Sequence, residues 1–311
     1  MDDIRVIAAK AEGVYGTDAG PTLAADAVLT RNFQTTPLEV DQINRNLDTN
    51  KYGATKGKPS NARVRSSYEV ELAGSGAAGT APAFMRILAA CGLTAPALDA
   101  GVDARQTFAQ IGEVPGSLTE YAWVDDQLRK TLGQRGTFSL DMTAGGLPFT
   151  SVQMTGLVPT NAPREVLAPG EADFSAWVEP VEVNNENTVF TLDGYAAIMR
   201  SLRIEAGVNI NLRNLVGARY VNKGNHSASG TIVIEAPSIA AKDYLATLQN
   251  GDLIEWNIVH GLDAGNIIEV GGTKAQITAI SETEEDDKVM FSISVLLTVD
   301  GGADDLLIIA R

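Results

Sequence analysis

The chain is poor in the residues most reactions need: 311 residues hold one cysteine, Cys91, and two histidines, His226 and His260. A single thiol excludes an intrachain disulfide framework and any multi-cysteine metal site, so the fold is expected to hold by packing alone, as in a reducing cytoplasm. Both histidines lie far from Cys91 in sequence, which leaves almost no way to build a Cys-His or Ser-His catalytic pair. Few apolar stretches reach even half of the roughly 20 residues needed to cross a bilayer, and no membrane-spanning helix is predicted. The start, Met1-Asp2-Asp3-Ile4-Arg5, has acids where a secretory signal carries bases, which predicts against that export route. Positive charge is scarce too, with 24 Lys plus Arg against 39 Asp plus Glu and a net charge of −15. Such a chain repels phosphate, which argues against a specific nucleic-acid reader with a broad basic face. The deficit is uneven: residues 1–165 carry 15 basic and 18 acidic groups, residues 166–311 carry 9 and 21.

What is present reads as β structure written twice. Val28, Leu29, Phe33, Leu38, Val40, Ile43 and Leu47 mark short alternating runs. Asp48 to Ser66, rich in Gly, Lys, Asn and Arg, is expected to be an extended loop. Tyr68, Val70 and Leu72 then share one face of a strand. Thr80 to Gly92 is expected to be a helix capped by Thr80, with Phe84, Ile87, Leu88 and Cys91 on its apolar face. Hairpins follow, one turning at Asp125-Asp126 and one pairing Thr137 to Thr143 with Phe149 to Leu157. The second half repeats the order. Ile210 to Leu215 answers Ile43 to Leu47, Val216 to Ser229 is again a polar loop, and Thr231 to Glu235 is the strand. A helix from Pro237-Ser238 closes at Asn250-Gly251, and a last hairpin joins Ala275 to Ile280 with Val289 to Val299 through an acidic turn. The fold class is mainly β: a β-sandwich or barrel with one flanking helix per unit, tandemly duplicated as residues 1–165, with an N-terminal arm, and 166–311.

Three patterns are weighed and set aside. Gly74 to Gly79 satisfies G-x-G-x-x-G between a strand and a helix, with Asp99 twenty residues on. In a dinucleotide site the helix starts within the glycines, which would bury Pro82 inside it, and Leu93 to Arg105 does not read as a buried parallel strand. Glu282 to Asp287 lacks the ligand alternation of a calcium loop and reads as a solvated turn. Carboxylates are plentiful, yet no spacing singles out an acid/base pair. His260, beside Gly261, reads as a turn residue. No catalytic residue, metal site or cofactor is expected. The one basic cluster, Lys51, Lys56, Lys58, Arg63 and Arg65, has few aromatics beyond Tyr52, so base stacking is not suggested. It reads as a solvated loop or, more sharply, as one that reaches the acidic second half of another copy.

Several stretches resemble the major tail tube proteins of long-tailed, non-contractile bacteriophages: Ala8 to Asp18, Thr36-Pro37-Leu38-Glu39, Tyr68 to Gly76, Gly79-Thr80-Ala81-Pro82-Ala83 and Ala90-Cys91-Gly92. Phe190 to Tyr195 and Ile234-Glu235-Ala236-Pro237 extend the resemblance into the second half. It implies a structural virion protein, not an enzyme, whose β-sandwiches join into an inner barrel in stacked rings around a channel for DNA. It further implies long loops that grip the next ring, here Asp48 to Ser66 with Lys51, Lys56, Lys58, Arg63 and Arg65, and Val216 to Ser229 with Arg219 and Lys223. Implied partners are other copies of the chain, tail proteins at the tube ends, and a tape measure protein and DNA passing through the lumen. The resemblance also implies that no membrane is involved and that the tail is assembled in the host cytoplasm. Single-domain relatives form hexameric rings, so a duplicated chain is expected to form trimers with pseudo-sixfold symmetry. The second reading is a carbohydrate-binding or adhesin-like β-sandwich, which needs an exposed aromatic platform. Only Trp123, Trp177 and Trp256 could supply its tryptophans, and two of them fall in expected strands.

Overall fold

The computed structural model describes residues 5–48, 50, 52–113, 115–299, 301–302 and 305–311. The first half lays down β1 (Arg5–Ala11), a helical turn α1 (Leu23–Asp26), β2 (Ala27–Val28), β3 (Arg31–Ile43), β4 (Lys58–Glu71) and α2 (Met85–Ala90). It continues with β5 (Ala97–Asp99), β6 (Asp103–Thr107), β7 (Leu118–Val124), β8 (Gln127–Thr143), β9 (Phe149–Leu157) and β10 (Arg164–Val166). The second half holds β11 (Thr188–Leu192), β12 (Tyr195–Ala196), β13 (Met199–Glu205), β14 (Ile210–Leu215), β15 (Ala218–Lys223), β16 (Ser229–Glu235) and α3 (Tyr244–Asn250). It ends with β17 (Leu253–His260), β18 (Ile268–Glu285), β19 (Lys288–Leu297) and β20 (Leu307–Ala310). Among the described residues every strand pairing is antiparallel. Neighbours in the first half run β2–β1–β7–β8–β9–β4–β3, and in the second β12–β11–β17–β18–β19–β16–β13.

The two runs join. β8 is 17 residues long, so after β7 ends its Ser139 to Thr143 segment continues along β13, while its other edge stays on β9. The chain's last strand, β20, lies between β18 and β6, stitching the small β5–β6 hairpin to the second half. Eighteen strands thus form one hydrogen-bonded sheet, and β14 with β15 stands apart as a two-stranded ribbon.

Alternation drives the core. Tyr68, Val70 and Leu72 point inward at 2% exposure or less, while Ser67, Glu69 and Glu71 between them stay partly exposed. Phe84, Ile87, Leu88 and Cys91 are buried beneath the same sheet, each large apolar side chain contributing about 2 kcal/mol by leaving water. Burial pushes the Cys91 thiol well up, so it stays protonated and inert.

Four expectations need correction. The extended loop is shorter than Asp48 to Ser66: β4 starts at Lys58 and pairs with β3 as far as Ile43, with Pro59 tolerated near the strand's start. Val216 to Ser229 is mostly the β14–β15 ribbon, because Gly217 takes a left-handed conformation in a tight turn after Val216. The acidic turn of the last hairpin is only Asp286-Asp287, both at positive φ, and Glu282 to Glu285 belong to β18. Neither helix starts where expected: Thr80 closes a turn onto Ala77 and α2 begins at Met85, while α3 begins at Tyr244, capped by Asp243, and not at Pro237-Ser238. The glycine run serves neither nucleotide nor helix. Gly74 N–H donates to Asn266 Oδ1 at 2.8 Å, Gly76 N–H to Gly265 O at 3.0 Å, and a Cβ on Gly74 would stand 1.9 Å from Gly265 O. Two backbones meet there that no side chain could separate.

Glu120 of β7 is 1% exposed and accepts from Ser66 Oγ of β4 at 3.3 Å. Desolvation pushes its carboxyl up to about 7, against the Gln134 and Ser66 hydrogen bonds that favour ionisation. A folded-state value above the unfolded one means stability fully present below the ordinary carboxylate range and lost as pH rises through 7. Glu120→Gln should therefore be more stable than the parent at pH 8, by up to about 3 kcal/mol, with the difference gone near pH 4. Denaturant midpoints for both proteins across that range check this.

Candidate assembly surface

The polar arms named from sequence are built on strands. β3 and β4 run on beyond the sheet as a ribbon in which Arg63 forms ion pairs with Glu39 and, at 3.2 Å, with Asp41, while Arg65 reaches Glu39 at 2.7 Å. Asn61 donates to Asp41 at 2.9 Å; that bond and the Arg63 guanidinium hold the Asp41 carboxyl below its usual range. The Glu39 carboxylate in turn holds the Arg63 proton more tightly.

The second arm lies against the first. Asn214 Nδ2 donates to Asn61 Oδ1 at 2.9 Å, and the Arg219 guanidinium donates to the Ala62 carbonyl. At its root Arg135 Nη1 donates to Val221 O at 2.9 Å while its guanidinium stacks 4.5 Å from the Tyr15 ring centre, and Val221 N–H donates to Tyr15 Oη at 2.6 Å. Lys223 Nζ reaches Ala109 O at 3.4 Å.

Of the basic residues singled out, Arg63, Arg65 and Arg219 are thus brought together. Lys56 is exposed in the loop before β4, Lys58 opens that strand and is exposed, Lys223 sits at the arm's root, and Lys51 lies outside the described residues. Charge-based reading missed the apolar tips. Tyr52 and Val216 are fully exposed, with Ile43, Leu47 and Leu215 about half exposed beside them. Their only signal in sequence is an apolar residue standing in a polar run.

The internal seam is the other feature. Arg203 lies opposite Asp141, Leu202 opposite Met142, and Ile204 opposite Leu140, the four apolar side chains being 0–2% exposed. By contrast, among the described residues no strand pairs with the outer edge of β3, or with β18 beyond Gln276 on the side where β17 ends. Apart from Phe33 and Ile277 both stretches are largely exposed, ready-made templates for another chain.

The two histidines have structural partners. His226 Nε2 bonds Asp305 Oδ2 at 2.6 Å under the Phe108 ring, a pair with no signal in the sequence. His260 is not a turn residue but the buried last residue of β17, bonded to Thr188 Oγ1 and to Val181 O, and burial lowers its proton affinity. No group of metal-ligating side chains gathers among the described residues. Trp123 and Trp256 are 6% and 1% exposed and cannot form an aromatic platform.

Arg219→Ala should free the β14–β15 ribbon from Ala62: amide exchange over residues 218–223 accelerates, while global stability falls by no more than about 1 kcal/mol. Exchange mass spectrometry on the parent and variant checks this.

No curated protein matches the chain. The family described as phage tail tube protein matches residues 4–303. A match over nearly the whole length shows that the protein belongs to the phage tail tube family, a structural rather than enzymatic component of the virion tail that self-assembles into a tube.

Proposed function

We propose that this chain is the major subunit of a non-contractile, siphovirus-type tail tube, and that residues 1–165 and 166–311 are two homologous tube units. Three copies close a ring of six units, and rings stack around an acidic channel through which DNA leaves the capsid. The observation that carries this reading is the internal seam: the same pairing order recurs in both halves, and the halves are themselves joined edge to edge by β8 and β13. The edges left over, on β3 and β18, correspond to the two that meet inside the chain. A head-to-tail contact of this kind generates a closed ring when its rotation fits, and closure covers both of these edges.

The arms suit stacking: paired on one flank, with ion pairs along their length and apolar tips beyond. The charge suits passage, since carboxylates facing the lumen would repel phosphates and keep the duplex centred and mobile. The tape measure protein would occupy the same channel before the DNA, with other tail proteins at the two ends, all assembled in the host cytoplasm. The carbohydrate-binding reading loses support with the burial of Trp123 and Trp256.

Electron microscopy of the concentrated protein, averaging end-on views, should show hollow tubes with three-fold rings of six similar lobes. Six-fold rings of whole chains would refute the two-unit arrangement, and discrete particles without rings under any condition would refute the tube. Tyr52→Ser with Val216→Ser should change unfolding stability by less than about 0.5 kcal/mol yet leave rings unstacked. Tubes of normal length from that variant would remove the stacking role of the arm tips.

A further inference from the structure

The register of the seam between copies can be read from the seam inside the chain. β4 ends at Glu71 and β16 at Glu235; Glu71 lies opposite Phe149, which lies opposite Asp141, and Glu235 lies opposite Met290, which lies opposite Thr283. Asp141 and Thr283 are therefore counterparts. Four residues before those glutamates stand Ser67 and Thr231, whose partners on the next strand are Gln34 and Arg203. Gln34 and Arg203 are therefore counterparts too. Inside the chain Arg203 faces Asp141.

We infer that Asn32 to Thr36 of one copy pair antiparallel with Ser281 to Glu285 of the next, with Gln34 opposite Thr283, and that this seam carries charge at the inward-facing positions where the internal one pairs apolar side chains. The inference rests on the ring reading above. Moving one residue either way along this register sets Phe33 opposite Glu284 and Thr35 opposite Glu282. Their counterparts inside the chain are Leu202 with Met142 and Ile204 with Leu140, all buried. Where the internal seam has four apolar side chains, the seam between copies thus has two carboxylates.

Positive charge stands beside the strand they face, on Arg5 of β1 and on Arg31 at the start of β3. Arg5 Nη1 donates to the Phe33 carbonyl at 3.2 Å, which holds its guanidinium beside the position opposite Glu284. Arg31, on the same strand, keeps its side chain 44% exposed while paired with Glu69. A carboxylate brought into a forming interface costs free energy unless it meets such a partner. The two seams differ in a second way. The β5–β6 hairpin that β20 locks onto the second half follows α2, whereas only Gly251 and Asp252 separate α3 from β17, so the second half has no such hairpin to offer its neighbour. Contact within the chain is reinforced, and contact between copies depends on the strand edges and their charges.

Two sets of variants of the full chain test this. Gln34→Cys with Thr283→Cys should form disulfide-linked chain multimers on oxidation of assembled tubes; directly opposed positions have Cβ atoms within disulfide reach, and Cys91 is buried. Gln34→Cys with Ser281→Cys, two residues out of register, should link less than about a tenth as much. Arg5→Glu should raise the protein concentration needed for ring closure by about tenfold or more, the equivalent of about 1.4 kcal/mol per seam, and adding Glu284→Arg should restore it. Circular dichroism of the unassembled variants confirms that they fold. Tubes that form without the Gln34–Thr283 cross-link overturn the register while leaving the tube reading intact, and unrestored closure in a folded charge-swap variant overturns the ionic contact. Failure of the parent protein to form rings at any ionic strength defeats the tube reading and this inference with it.

Discussion

A β-strand edge carries unpaired N–H and C=O groups that must find partners or be shielded, and this requirement organises the whole molecule. β8 is longer than either neighbour could cover alone, so β7 takes its first part and β13 the rest, which makes one sheet of the two halves. The same extension occurs in β18, whose last residues outrun β17 and find no second neighbour among the described residues. In the proposed ring another copy supplies that neighbour.

Other features follow from keeping edges apart until the right partner arrives. β3 is irregular, with register shifts along β4, a proline at position 37 and an arginine side chain on the Phe33 carbonyl, all of which discourage indiscriminate pairing. β18 presents carboxylates for the same length, which keeps two such edges from joining each other. The concentration of negative charge in the second half thus has a local meaning beside any role in the channel.

The sequence was most legible where a local rule operates. Tyr68, Val70 and Leu72 alternate into the core as a half-buried strand must, and Asp125-Asp126 makes the turn between β7 and β8. It was least legible where polar composition masked pairing. Lys58 to Ser66 looks like loop because its charges are many, yet Arg63 and Arg65 form ion pairs with Glu39 and Asp41 on a neighbouring strand. The glycines at 74 and 76 imitate a phosphate-binding loop; their partner, Gly265-Asn266, is almost two hundred residues away and leaves no mark near them.

By itself the sequence determined the mainly β character, the repeated order of elements and, through resemblance, the family. These depend on composition, on alternation along a strand and on residues in contiguous stretches, all of which are properties of the chain in one dimension. The tertiary structure decided that β8 leaves its own half to pair with β13, that the two arms lie side by side through Asn61 and Asn214, and which edges remain open. Such facts arise from hydrogen bonds and packing between residues 58 to 153 positions apart, and no local preference encodes where a long strand will find its second partner.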